Sequence, residues 1–436
     1  MEKITNQPPI IQPINIPDDD SKKEFTSKFS KKFSIKDTFA ALRYPNYKLW
    51  FYGQLISLFG SWMQVTALGF FVFELTRSPA YLGYLGFAGG IPAWIFTLYA
   101  GAIADRFDRK TILIITQFGM MFLSIVLAVL TFTNIITPYL IIVISVFLGL
   151  LNAFDAPARH AFVNELVEKE DLVNAIALNS TMFHSATALG PALGGIIYAF
   201  FGPGWCFTIN SISFFAVIYS LYKMKLVKNN FEGNSDSIRS DLKNGFKYLL
   251  NEKAILVFIF ITTTTSLLGT GVLTLFPAWA VNILGGDATT NGFLQSARGF
   301  GAVIFALIIA TINKKVMRGN LLGNALILFP IVLIIFSFNR SLIVSLSLLV
   351  LIGGFMISIY NLANGLIQTM VDEKFRGRIM GIYSFSFLAF MPIGSLIIGW
   401  LAELFGSPTA ILINSVVLLF VFVLLRLYYA NLKVIR

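Results

Sequence analysis

The sequence has little cysteine, histidine or charge, and each shortage excludes a class of function. A single cysteine, Cys206, excludes a disulfide framework and any metal cage made of thiolates. The two histidines, His160 and His184, make no metal-ligand spacing, and no hydrophobic stretch combines a nucleophile, a base and a carboxylate. The phosphate-binding sequence G-x-x-x-x-G-K-[ST] is also missing, which argues against an ATP-driven pump. A membrane-embedded transferase or hydrolase is therefore the least favoured interpretation.

Apolar residues dominate instead: they make up 56% of the 436 positions, whereas charged residues make up 13%. A helix that crosses the hydrocarbon core needs about 20 mostly apolar residues. Twelve such stretches occur, and they predict an all-α membrane protein with twelve transmembrane helices. We predict the spans at 49–75, 80–104, 111–133, 137–158, 172–200, 205–224, 254–283, 289–312, 319–338, 341–370, 378–404 and 408–430.

The net charge of +11 is explained by its distribution between the two sides of the membrane. Two basic residues, Arg77 and Arg340, fall in the predicted outer connectors. Eleven fall in or beside the short inner ones: Arg106, Arg109, Lys110, Arg159, Lys169, Lys314, Lys315, Arg318, Lys374, Arg376 and Arg378. Positive charge is typical of cytoplasmic connectors. The pattern predicts an inner (cytoplasmic) membrane protein with both termini cytoplasmic, and it makes nucleic-acid binding unnecessary.

We predict four regions: a cytoplasmic tail at 1–46, a six-helix bundle at 47–224, a cytoplasmic linker at 225–253 and a second six-helix bundle at 254–432. In the tail, Phe25, Phe29 and Phe33 recur every four residues among lysines. This spacing predicts an interfacial helix that binds anionic lipid. A solvated basic tail is an equally simple interpretation.

An internal repeat supports the division into halves. Phe201-Gly202 is followed by Asn210-Ser211, and Phe405-Gly406 is followed at the same distance by Asn414-Ser415. Two similar six-helix halves are typical of transporters whose halves rock about a central site.

The connector between spans 2 and 3 reads GAIADRFDRKTIL, which places Gly101, Asp105, Arg106, Arg109 and Lys110 at the spacing G-x-x-x-D-R-x-x-R-K. This resembles the signature loop of the major facilitator superfamily. The resemblance implies that the glycine permits close helix packing and that the charges hold one conformation closed, with Asp155 as the partner of Arg109. The sequence departs from the family at Asp108, where a second glycine is usual.

Span 5 contains Ala186, Gly190, Pro191, Gly194 and Gly195. This set resembles the antiporter motif of the same superfamily, with alanine in place of its first glycine. In the family the motif accompanies exporters. The alternative is ordinary helix packing, because small residues let helices touch and proline bends a span.

The stretch NAFDAPARHAFVNELV at 152–167 and RYPNYKLW before span 1 are similar to the enterobactin-exporter and macrolide-efflux subfamily. That resemblance implies a monomeric secondary transporter without a cofactor, which exports a siderophore or a drug-like amphiphile in exchange for protons. An importer or facilitator of the same fold is the alternative.

Ionisable groups inside a membrane are costly and indicate function. Two qualify: Arg298 in span 8, as a site for an anionic substrate, and His184 in span 5, as a proton site. Structural roles are the alternative for both. In the family, spans 5 and 8 face each other, which implies a shared depth. Further polar candidates for the substrate site are Gln54, Gln64, Asn152, Asn179, Gln295, Asn361, Asn364 and Gln368. Glu74 and Glu403 lie near outer span ends, and we expect neither to be the coupling site.

Overall fold

The computed structural model describes residues 39–225, 247–311 and 315–430, with the backbone alone at 97, 98, 102, 105, 315–317 and 428–430. Two units are distinguished, residues 1–40 and 41–436, and every long helix belongs to the second. The predicted interfacial helix of the tail and most of the predicted linker lie outside the described residues.

Twelve long helical segments occupy the described part of the chain. They are α1 (Pro45–Thr76), α2 (Pro79–Arg106), α3 (Arg109–Phe132), α4 (Pro138–Phe162), α5 (Leu172–Phe201), α6 (Pro203–Lys223), α7 (Lys253–Asn282), α8 (Ala288–Ala310), α9 (Lys315–Phe338), α10 (Leu342–Met370), α11 (Arg376–Phe405) and α12 (Ser407–Ala430). The largest departures from the predicted limits are the starts of α1 and α9 and the end of α4, each four residues beyond the prediction.

Within the described part of the chain, ten helical segments are long and apolar enough to cross a membrane. The other two, α2 and α5, contain 28 and 30 residues. Both exceed the ~20 residues that a span requires. The architecture is therefore that of an all-α, multi-pass membrane protein.

The repeated Phe-Gly pairs form the same kind of turn in both halves. Gly202 ends α5 with φ +86°, and Gly406 ends α11 with φ +81°. Glycine adopts this left-handed conformation without the steric penalty that a Cβ imposes. The next helix then begins at once, at Pro203 or Ser407, so that the sequence repeat corresponds to a structural one.

Helix α7 departs from α-helical geometry in its middle. Residues Thr265–Gly269 form a π-helical turn and Thr270–Leu275 a 3₁₀ turn. A Cβ on Gly271 would lie 2.8 Å from the carbonyl carbon of Gly394 on α11. The backbones of α7 and α11 are therefore in contact where α7 departs from α-helical geometry. Such irregular turns inside a helix often accompany functional sites.

The most extensive contacts between the two predicted halves are those of α2 with α11 and of α5 with α8. In the first pair, a Cβ on Gly83 would lie 2.8 Å from the carbonyl oxygen of Ser395. In the second, a Cβ on Gly299 would lie 2.7 Å from the Cα of Ala188. These glycines bring backbones together that any larger side chain would separate. Because α2 and α5 correspond to α8 and α11 in the repeat, the two contacts are equivalent.

Candidate functional site

The predicted gate lies at the connector between α2 and α3, and its arginine pairs with a different acid from the one expected. Arg109 Nη1 lies 2.6 Å from Glu165 Oε1, and Arg109 Nε donates to the Ala104 carbonyl at 3.1 Å. Both side chains of this ion pair are mostly buried. The predicted pairing of Arg109 with Asp155 is therefore wrong for this conformation.

Asp155 has its own set of donors inside the first half. Its Oδ1 accepts from Thr116 Oγ1 at 2.9 Å and from Gln117 Nε2 at 2.8 Å, and its Oδ2 lies 3.6 Å from Arg159 Nε. Arg159 follows Asp155 by one helical turn and so lies on the same face of α4. Asp155 thus pairs with Arg159 of its own helix. The acid that reaches Arg109 is Glu165, in the short turn Val163–Glu165 after α4.

The remaining gate residues differ in their surroundings. Asp108 caps α3, because its carboxylate accepts from the Thr111 backbone nitrogen at 3.0 Å, and its φ of −56° does not need the glycine that is usual in the family. Lys110 Nζ donates to the Met224 carbonyl at 2.9 Å, and Arg106 is exposed. The Asp105 side chain lies outside the described residues. A Cβ on Gly101 would meet no described atom within 4 Å, so the close packing expected of that glycine is not seen among the described residues.

The predicted antiporter motif packs α5 against two helices. A Cβ on Gly190 would lie 2.7 Å from Trp62 Cβ, and one on Gly194 would lie 2.9 Å from the Met63 carbonyl, both on α1. Gly195 faces the other half, where its Cβ would lie 3.1 Å from the Cα of Gly292 on α8. Two further members of the motif, Ala186 and Pro191, are buried in α5.

The register of α5 against α8 separates the two ionisable candidates. Ala188 lies against Gly299, and the Ala192 nitrogen donates to Ser296 Oγ at 2.9 Å. This antiparallel register brings Arg298 level with residue 189. His184 is five residues nearer the predicted inner end, or about 7 Å at the rise of an α-helix. The expected shared depth of His184 and Arg298 is therefore not found.

Arg298 is buried without a protein partner. It is 9% exposed, and within the described part of the chain its guanidinium makes no hydrogen bond and no ion pair. The helices that pack against α8 are α1, α5, α7 and α10. They contain one acidic residue, Glu74, which accepts a hydrogen bond from the Tyr198 hydroxyl.

Other polar groups share the face of α8 that carries Arg298. Gln295 Nε2 donates to Asn291 Oδ1 at 3.4 Å, and Gln295 Oε1 accepts from Thr66 on α1 at 3.4 Å. Asn291 is fully buried, and its Nδ2 has no partner. The predicted substrate-site residues do not include Asn291, although it lies four residues before Gln295 and seven before Arg298. That spacing places all three residues on one face of a helix.

The other predicted polar residues do not converge on one point. Gln64 accepts from Asn210 Nδ2 at 2.9 Å within the first half, and the buried Gln54 leaves its Nε2 unpaired. Asn364 accepts from Gln368 at 2.6 Å. Asn179 is half-buried and Asn361 is exposed. Of the described residues, no group of three or more histidine, cysteine or acidic side chains is arranged to hold a metal ion.

The predicted outer end has a link between the halves that sequence reasoning missed. Glu403 on α11 accepts from Ser78 Oγ at 2.6 Å and from the Ala80 nitrogen at 3.2 Å, both at the start of α2. A carboxylate at a helix N-terminus is stabilised by the exposed N–H groups and the helix dipole. The hydrophobic stretches could not reveal this contact, because it joins residues more than 300 positions apart.

Most of the chain resembles known transporters in sequence. Residues 36–434 match the family described as transmembrane secretion effector. The staphyloferrin A transporter of Staphylococcus aureus is 25% identical over 82% of this chain and 90% of that protein. The enterobactin exporter EntS of Escherichia coli is 24% identical over 88% and 93%, and macrolide efflux protein A of Streptococcus pyogenes is 21% identical over 84% and 92%.

Solved structures show the same fold. The nucleoside transporter NupG superposes with a TM-score of 0.69 at 14% identity, covering 87% of this chain and 98% of that one. A bacterial homologue of the human lysosomal transporter Spinster, in an inward-facing conformation, superposes with a TM-score of 0.67 at 12% identity, covering 89% and 96%. Since the family match includes all twelve helices, this chain belongs to the transmembrane secretion effector family of the major facilitator superfamily, and it is a multi-pass inner-membrane transporter of small molecules rather than an enzyme.

Proposed function

We propose that this transporter exports a siderophore or a drug-like amphiphile in exchange for protons, by alternating access. The observation that carries the proposal is the closure of the bundle at its predicted outer end. There Gly83 and Gly195 allow direct backbone contact between the halves, and Glu403 binds the start of α2. Alternating access requires such a state, and in export it is the state that receives the substrate.

The moving bodies in this proposal are the two bundles, 47–224 and 254–432, joined by the linker 225–253 and preceded by the tail 1–46. The largest cluster of buried apolar residues supports this division, since all its members lie between Leu249 and Phe422. A second cluster lies wholly between Ala41 and Met224. Each half thus has a hydrophobic core of its own, which lets it move as a body.

The direction of transport rests on the named relatives and on α5. Two relatives are an exporter and an efflux protein. Gly190 and Gly194 hold α5 to α1, while Gly195 lies against α8 of the other half. The motif therefore occupies the interface that must open when the outer end opens. Protons are the proposed coupling ion, with His184 as the candidate site because imidazole titrates near physiological pH.

The proposed setting follows from the charge distribution. Both termini lie in the cytoplasm, the basic tail binds anionic lipid, and the protein acts as a monomer. The eleven basic residues in and beside the inner connectors, against two in the outer ones, support this orientation.

The test is transport in inverted membrane vesicles, whose lumen corresponds to the outside of the cell. A macrolide and a fluorescent amphiphilic dye serve as probes, and the lumen is acidified before either is added. We expect accumulation of at least one probe that depends on the acidic lumen and stops when a protonophore is added.

The controls are vesicles without the protein and vesicles with the Arg109→Ala variant. Protein-dependent equilibration of a probe that is unchanged by the proton gradient and does not exceed equal concentration would identify a facilitator. Accumulation in right-side-out vesicles alone would identify an importer, and either result would overturn the proposal of proton-coupled export.

A further inference from the structure

We infer that the Arg298 guanidinium is the binding site for a carboxylate of the transported molecule, so that the substrate class is an anionic amphiphile. The inference rests on the proposed transport of a small molecule, but it does not depend on direction or on the coupling ion. It adds the charge of the substrate and the residue that recognises it.

Arg298 is a largely buried cation without a counter-ion among the described residues. An arginine remains charged under all physiological conditions and presents five N–H donors in a planar fork that matches a carboxylate. Arg298 lies in the interior of α8, is 9% exposed and makes no hydrogen bond or ion pair with any described residue. A largely buried charge without a counter-ion is unfavourable. The free protein therefore carries a destabilising group that a ligand would satisfy.

The helices around Arg298 supply no negative charge to balance its guanidinium. Helices α5, α7, α8 and α10 contain no acidic residue, and the one in α1, Glu74, is engaged by Tyr198 near the predicted outer end. Asp287 precedes α8, but it caps that helix through Thr290, eleven residues or about 16 Å from Arg298. The neighbouring helices thus supply no counter-charge, and an anion that enters between the halves would supply it.

The face of α8 that carries Arg298 is polar and is turned toward the first half. Asn291, Gln295 and Arg298 lie at i, i+4 and i+7, which is one face of a helix. Thr66 on α1 hydrogen-bonds Gln295, so this face is turned toward the other half. The Nδ2 of Asn291 is a fully buried donor without a hydrogen-bond partner among the described residues. The unpaired groups on this face are donors, as an acceptor-rich carboxylate requires.

The experiment measures equilibrium binding to the purified full-length protein in detergent. The probes are dansylaminoundecanoic acid and its methyl ester, which share one apolar body and differ in charge, and binding is followed by dansyl fluorescence. The wild type should bind the acid more tightly than the ester. Arg298→Gln should weaken binding of the acid about 10- to 100-fold, the effect of losing charge-assisted hydrogen bonds, and leave the ester unchanged.

Two further variants separate recognition from structure. Arg298→Lys keeps the charge and should retain part of the preference for the acid, whereas Arg426→Gln, on α12, should keep all of it. Arg298→Gln should also unfold at a temperature no lower than the wild type, because it removes an unpaired charge.

Three results would overturn the inference. One is equal affinity of the wild type for acid and ester, and another is loss of both in Arg298→Gln together with a lower unfolding temperature. The third is abolition of the preference by added phosphatidylglycerol, which would assign the guanidinium to a lipid headgroup. Since the readout is binding, a failure of proton-driven export would leave these outcomes unaffected.

Discussion

The carboxylate of Glu403 on α11 accepts a 2.6 Å hydrogen bond from the hydroxyl of Ser78, the residue before α2. The same oxygen accepts from the Ala80 backbone nitrogen at 3.2 Å. One acid of the second half thereby caps a helix of the first. This contact exists only while the predicted outer end is closed, so its strength contributes directly to the balance between conformations.

Glu403→Gln should shift the protein toward opening at this end. Hydrogen bonds to charged groups contribute about 1.5–3 kcal/mol, equal to a roughly 10- to 100-fold change in the conformational ratio. Spin labels at Ile135→Cys and Leu404→Cys, in a Cys206→Ser background, would report the separation of the halves by double electron–electron resonance. We expect a new population at longer distance.

The matched control for Glu403 is Asp287→Asn. Asp287 also lies at the predicted outer end, but it caps its own helix through Thr290. It should leave the distance distribution unchanged. Equal distributions for Glu403→Gln and the wild type would show that the contact with Ser78 does not bias the conformation.

Arg109 and Glu165 should act as one unit at the predicted gate. Because they form an ion pair at 2.6 Å, removing either side chain deprives the other of a charge-assisted hydrogen bond in a mostly buried place. We expect Arg109→Ala and Glu165→Ala to slow transport to a similar extent, and the double variant to be no slower than either. Membrane insertion should be intact in all three.

Lys169→Ala, an exposed change near this site, is the control for general damage. Initial transport rates in inverted vesicles give the comparison. Independent, additive losses from Arg109→Ala and Glu165→Ala would contradict the pairing, and would favour a separate partner for each residue in the transport cycle.

Gly83→Ala should impair closure of the predicted outer end, whereas Gly89→Ala should not. The new Cβ at Gly83 would lie 2.8 Å from the Ser395 carbonyl, while one at Gly89 would meet nothing within 4 Å. Overpacking typically costs about 1–3 kcal/mol, and here it would apply to the closed state alone. Transport by Gly83→Ala should therefore fall about tenfold or more; equal rates for the two variants would rule out the contact as a determinant.

Cysteine accessibility should reveal the orientation of the bundle. In a Cys206→Ser background, Ile135→Cys lies in an exposed predicted outer connector and Lys374→Cys in an exposed predicted inner one. A membrane-impermeant maleimide should label the first in intact cells and the second after permeabilisation alone. The reverse pattern would invert the assignment of inside and outside.

The hydrophobic stretches were sufficient to predict the fold, because a membrane span requires a minimum length of apolar sequence. The observed limits of α5, Leu172–Phe201, differ by one residue from the predicted 172–200. Even the correspondence of the halves was readable, since Phe201-Gly202 and Phe405-Gly406 adopt the same turn. These features depend on short stretches of neighbouring residues, which a single sequence contains.

Partners distant in the chain could not be predicted in the same way. Resemblance to a family implied Asp155 as the partner of Arg109, whereas in the structure the turn after α4 brings Glu165 to it. Glu403 lacked any local signal of its role, because its partner begins α2 in the other half.

The sequence by itself determined that this protein crosses a membrane many times, which helices it forms, and that Arg298 is a charge within an apolar span. Only the tertiary structure decided that Arg298 has no hydrogen-bond or ion-pair partner among the described residues, that its depth in the membrane differs by about 7 Å from that of His184, and that Glu403 binds Ser78 before α2. The reason is physical. Helix formation and membrane burial depend on the composition of consecutive residues, whereas the pairing of polar groups depends on which faces of distant helices meet.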